Sequence, residues 1–78
     1  MNRDPETITF TEYCILYGQT TFMRQYYDNL FTQVQYNSDP QPFIEECMEN
    51  IKVFDDKGYN QIATDLEERL SYVFNERK

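Results

Sequence analysis

The run Tyr59-Asn60-Gln61-Ile62-Ala63-Thr64-Asp65-Leu66-Glu67-Glu68-Arg69-Leu70-Ser71-Tyr72-Val73 sets the fold class. Tyr59, Ile62, Ala63, Leu66, Leu70 and Val73 recur at three- and four-residue spacing, and Thr64, Glu67, Glu68 and Ser71 fall on the opposite side. That period makes one apolar stripe along an α-helix, and the stripe has to be buried against another element. Gly58 punctuates the start of the run. Arg77 and Lys78 follow its end, where the free carbonyls of a helix favour cations.

Working towards the N-terminus, the preceding segment starts at the Asp39-Pro40 or Gln41-Pro42 step. Asp is a good cap and Pro is well tolerated at the first helical position. Ile44, Cys47, Met48, Ile51 and Phe54 then recur at helical spacing, with Lys57 in the last turn and Gly58 as the stop. Before it lies a segment from Thr21 to about Tyr36, with Thr20 or Thr21 as cap. Met23, Tyr26, Leu30 and Val34 cluster on one side of it, Phe22 and Phe31 flank them, and Tyr27 lies near Phe31. The apolar arc covers about half the cylinder, which is wide for a helix on the surface of a small bundle.

The first segment, Thr9 to Tyr17, opens with Thr9 and Glu12 in capping-box spacing. Phe10, Cys14 and Tyr17 share a helical side with Tyr13 beside them, and Gly18 suits a left-handed terminus. Thr7-Ile8-Thr9-Phe10-Thr11 also alternates as a strand would. A lone strand has nothing to pair with in this chain except a second copy, so the short helix is preferred, although strand and helix start both remain open here.

Seventy-eight residues limit the chain to one domain with a small core, burying about 60% of its unfolded surface. Short connections favour antiparallel neighbours. The expected fold is all-α: a small antiparallel helical bundle of one short and three longer helices, a single domain over 1–78 with residues 1–8 irregular or frayed. Its expected radius of gyration is about 11–12 Å.

Composition narrows the chemistry. There is no His, so a serine or cysteine nucleophile lacks the usual imidazole base, and the commonest metal ligand is missing. Seven Lys and Arg against fourteen Asp and Glu leave a net charge of −7, unsuited to direct binding of nucleic acid or anionic membranes. The apolar run Tyr13–Tyr17 is far too short to span a bilayer. The first residues show no basic stretch followed by an apolar one, which predicts no signal peptide and a cytoplasmic location, the host cytoplasm if the chain is phage-encoded. Cys14 and Cys47 lack metal or redox spacing and read as small buried hydrophobes in a reducing compartment. The adjacent pairs Glu45-Glu46, Asp55-Asp56 and Glu67-Glu68 diverge by about 100° on a helix and do not converge on a substrate or a cation. No phosphate-cradling glycine loop is present, and a domain this small leaves little room for a pocket of the usual 300–1,000 Å³. No catalytic activity, cofactor or metal is expected.

The charge is uneven. Thr9 to Tyr36 holds only Glu12, Arg24 and Asp28, whereas Asp39 to Glu68 holds nine acids against Lys52 and Lys57. Glu45, Glu49 and Asp56 fall within about 40° of one another on their helix, spread over about 16 Å. Glu67 and Glu68 extend the acidity onto the last helix, and antiparallel packing would join them to it. Such a face either solubilises a small domain or takes the place of phosphate in a basic groove.

Seven Tyr and six Phe supply ring volume mainly for the core. On the wide arc of the second long helix, Tyr27 and Phe31 would form an exposed i, i+4 pair if left uncovered, suited to an interface centre. Two readings follow. The first is a small acidic inhibitor or modulator of a basic, nucleic-acid-handling protein partner, of the type that phages and mobile elements make, anti-CRISPR proteins included. Glu45, Glu49, Asp56, Glu67 and Glu68 would supply charge, with Tyr27 and Phe31 for apolar contact. The second is a homodimeric structural or assembly module that binds through the aromatics of that helix.

Overall fold

The computed structural model describes residues 4 to 77. The chain forms four helices, α1 (Phe10–Leu16), α2 (Thr20–Tyr36), α3 (Gln41–Asp56) and α4 (Asn60–Asn75), after a single 3-10 turn at Pro5–Thr7. No strand is present among the described residues. The expected all-α antiparallel bundle of one short and three long helices is therefore the observed fold.

Two of the three inter-helix turns use the same device. Gly18 and Gly58 carry φ of 65° and 89°. After α3, the Gly58 N–H donates to the Asp55 carbonyl at 3.0 Å and the Tyr59 N–H to the Phe54 carbonyl at 2.9 Å. After α1, Gly18 N–H donates to Ile15 at 3.2 Å and Gln19 N–H to Cys14 at 3.0 Å. These paired bonds satisfy the last free carbonyls of each helix and turn the chain within two residues. At the second turn Tyr59 also packs on Phe54, ring centroids 6.2 Å apart. The third turn differs: the Asp39 N–H donates to the Asn37 side chain at 2.9 Å, and Pro42 occupies the first turn of α3.

The start of α1 settles the strand-or-helix ambiguity at Thr7–Thr11. The Glu12 N–H donates to the Thr9 hydroxyl at 3.2 Å, and the Thr9 N–H to the Glu12 carboxylate at 3.3 Å. This reciprocal cap fixes the chain as helical from Phe10.

The core joins all four helices. Val34 of α2 and Ile62 of α4 are fully buried, with Leu30, Cys47, Leu66, Val73 and Phe54 around them. Seven-residue α1 is too short to hold itself. It is held by rings: Phe10 meets Tyr27 edge-on at 5.2 Å, and Tyr13 meets Phe54 at 5.4 Å and Tyr59 at 5.3 Å. Between α2 and α3, the Tyr26 hydroxyl donates to Glu46 at 2.8 Å and accepts from Asn50 at 3.0 Å. Between α2 and α4, Arg69 pairs with Asp28 at 3.0 Å and lies 4.9 Å from the Phe31 ring centre.

Several expectations are corrected. Residues 4–8 are ordered into the fold: Asp4 caps the Pro5–Thr7 turn, and Ile8 joins the core. Residues 1–3 of the expected frayed segment lie outside the described residues. Gln19, not Thr20 or Thr21, precedes α2, and it caps without a side-chain bond. Pro40, not Asp39, occupies the cap position of α3. Met48 is exposed, because it lies at the edge of the buried side of α3 and not within it. Arg77 donates to the Val34 carbonyl, so it closes the last turn of α2 as well as lying at the end of α4. Lys78 lies outside the described residues. The radius of gyration is 12.9 Å, above the expected 11–12 Å, because the molecule is elongated, with extents of 44 × 23 × 17 Å.

At Gly58 a Cβ would meet nothing within 4 Å, so only backbone strain opposes a side chain there. Gly58→Ala is expected to destabilise the fold by about 1–2 kcal/mol, read as a lowered urea midpoint. An unchanged midpoint would show that the left-handed turn is not needed.

Candidate functional site

The helical period and the Gly58 turn together place the acids. On α3 the buried Cys47 and Phe54 mark the inward side, and Glu45, Glu49 and Asp56 lie about 180° from it, all exposed. None of the three is ion-paired with a described residue. Lys52 runs beside the row, and exposed Met48 and Val53 flank it on either side. The strip therefore combines carboxylates with apolar side chains. The helical period alone does not single out either flanking residue, although both lie at the edges of the apolar stripe.

Glu67 and Glu68 are exposed on α4, which packs along α3 more extensively than any other pair of elements. Glu68 lies about 100° round α4 from Glu67, so the two do not share one side of that helix. Glu45 accepts from Gln41 one turn back on α3 at 3.4 Å, and several acids outside the strip are also engaged within the fold. Glu46 accepts from Tyr26, Asp55 accepts from Asn60 at 2.7 Å, Asp65 accepts from Gln61 at 2.8 Å, and Asp28 holds Arg69.

The aromatic part of the expected surface is overturned. Tyr27 and Phe31 are only 4% and 3% exposed and belong to the core. The buried arc of α2 is rotated by about 50° towards them relative to the arc centred on Met23, Tyr26, Leu30 and Val34. The cause is α1, whose Phe10 covers Tyr27, together with Arg69 of α4 over Phe31. Burial pushes the Tyr27 hydroxyl well above the usual phenol range. The exposed aromatics of α2 are instead Phe22 and Tyr36, near its two ends and about 21 Å apart. Tyr27 and Phe31 are therefore not exposed in this fold as the centre of an interface.

Compared with known proteins, the chain matches no family model, no curated protein and no solved structure.

Two further features bear on chemistry. A groove of about 670 Å³ runs between α1, α2 and α4, with Phe10, Tyr27, Phe31 and Leu66 among its lining and Arg24, Asp28, Asp65 and Arg69 also facing it. This is more concave space than the chain length suggested. No group of three or more His, Cys, Asp or Glu able to hold a metal occurs among the described residues. No helix among them is long and apolar enough to cross a membrane. Cys14 and Cys47 are both free and buried. Burial pushes the Cys47 thiol up to about 11, with Glu46 adding to it, and raises Cys14 against the opposing charge of Arg24.

Phe31→Ala should cost about 3–5 kcal/mol, a large part of the stability of a domain this size, seen as early loss of helical circular dichroism in urea. A variant as stable as the parent would return Phe31 to the surface. Both thiols should resist a disulfide reagent at pH 8 in the native state and react at the rate of unfolding, because the protonated, buried sulfur is a poor nucleophile. Rapid labelling of the folded protein would contradict this burial.

Proposed function

We propose that this chain is a small, non-catalytic binding protein that lays the acidic face of α3, extended by α4, against a basic nucleic-acid-binding surface of another protein. The observation that carries the reading is the exposed strip Glu45, Glu49 and Asp56 opposite the core side of α3, without ion-pair partners among the described residues. A carboxylate row about 16 Å long spans several phosphate positions of one nucleic-acid strand. Met48 and Val53 beside it supply the apolar contact that charge alone cannot, in place of Tyr27 and Phe31. Interfaces take their specificity and on-rate from such charge patterns and much of their affinity from desolvated apolar anchors. Acidity and small size fit an inhibitor or modulator of the kind phages and mobile elements direct at host defence or transcription, anti-CRISPR proteins among them.

The test is affinity capture from host lysate at low salt after nuclease treatment, with salt-gradient elution. A basic nucleic-acid-binding protein should elute at moderate salt. The combined variant Glu45→Lys, Glu49→Lys, Asp56→Lys should lose at least about tenfold in affinity for it while remaining helical. Retention of the same partner by that variant would remove α3 from the interface.

A further inference from the structure

The groove between α1, α2 and α4 carries a pair of opposite charges that the fold leaves apart. Two contacts set the register of α2 against α4: Asp28 receives Arg69, and the Val34 carbonyl receives Arg77. Both helices advance in the same sense from the first contact to the second, so they run parallel, as alternate members of an antiparallel bundle do. Arg24 precedes Asp28 by one turn of α2, and Asp65 precedes Arg69 by one turn of α4. Arg24 and Asp65 therefore stand at the same level on opposite helices, about 6 Å along the axes from the closed Arg69–Asp28 bridge. Both line the groove, yet they do not meet. Among the described residues Arg24 makes no ion pair, and Asp65 accepts only from the neutral Gln61 amide, at 2.8 Å. Phe10, Phe31 and Leu66 supply apolar lining, and the volume of about 670 Å³ falls within the range of small-ligand sites.

We propose that this groove binds a free α-amino acid with a large apolar side chain. Its carboxylate accepts from the Arg24 guanidinium, its ammonium donates to Asp65, and its side chain lies against Phe10, Phe31 and Leu66. Charge complementarity selects the zwitterion. A simple anion would meet Arg24 but bring a second negative charge towards Asp65, and a simple cation would do the reverse. A zwitterion answers both groups and adds nothing to a chain that already carries −7. The Arg69–Asp28 bridge crosses from α4 to α2 and bars one end of the groove, which suits a short molecule and not a continuing chain. No residue of the α3 strip lines the groove, so the site is independent of what α3 binds.

A ligand of about a dozen non-hydrogen atoms in an open groove binds in the micromolar to millimolar range. The test is therefore an amide-shift NMR titration of the intact labelled chain with L-phenylalanine, up to about 20 mM. Saturable changes are expected at residues 10–15, 24–31 and 65–69. Phenylpropionate, which lacks the ammonium, and phenethylamine, which lacks the carboxylate, should each bind at least about tenfold more weakly. Arg24→Gln and Asp65→Asn should each remain helical by circular dichroism and weaken L-phenylalanine by a similar factor. No saturable change, or changes centred elsewhere, overturns the proposal. So does either analogue binding as tightly as L-phenylalanine, or a folded variant that binds as the parent does. Should a variant unfold, the analogue series on the parent chain still decides.

Discussion

The left-handed backbone at Gly58 is the constraint on which the rest of the structure depends. It ends α3 by satisfying its last carbonyls and reverses the chain in two residues, so that α4 returns along α3. It also sets Tyr59 on Phe54, and those two rings receive Tyr13 from α1. The same turn therefore makes the largest helix–helix contact and the socket that holds the shortest helix. Through α1 it also decides which side of α2 is buried, because Phe10 reaches Tyr27 only when α1 is seated.

Much of this was legible in the sequence. The stripe on α4, the two glycine turns and the Thr9–Glu12 cap are local signals, set within three or four residues, and the structure keeps them. The acids of α3 were legible for a related reason: a face opposite a clear apolar stripe is exposed whatever the partner helix. What was not legible needed knowledge of neighbours. The apolar arc of α2 is wider than any one neighbour covers, and its sequence does not say where α1 will lie. Tyr27 and Phe31 thus looked like an uncovered edge, whereas α1 and Arg69 close over them. Met48 failed for the converse reason, since a residue at the rim of a stripe is buried only if the neighbouring helix reaches it. Ile8 follows a turn that packs on α4, and its burial in the core depends on that contact between segments far apart in sequence.

The molecule that results has two unlike exposed surfaces. One is a carboxylate row on α3, edged by Met48 and Val53. The other is an uncharged corner around Gly18 carrying Leu16 and Phe22. The two differ in their physical chemistry. The first suits an oppositely charged surface and is sensitive to salt. The second suits apolar contact. Charge is kept away from the end of α1, the Gly18 turn and the start of α2, between Glu12 and Arg24.

Mapping backbone-amide NMR shifts of the labelled chain on addition of its captured basic partner tests the central claim most directly. The account predicts changes concentrated at residues 45–56 and at Glu67 and Glu68, fading as salt is raised. Changes centred on residues 15–22, or unaffected by salt, would contradict it.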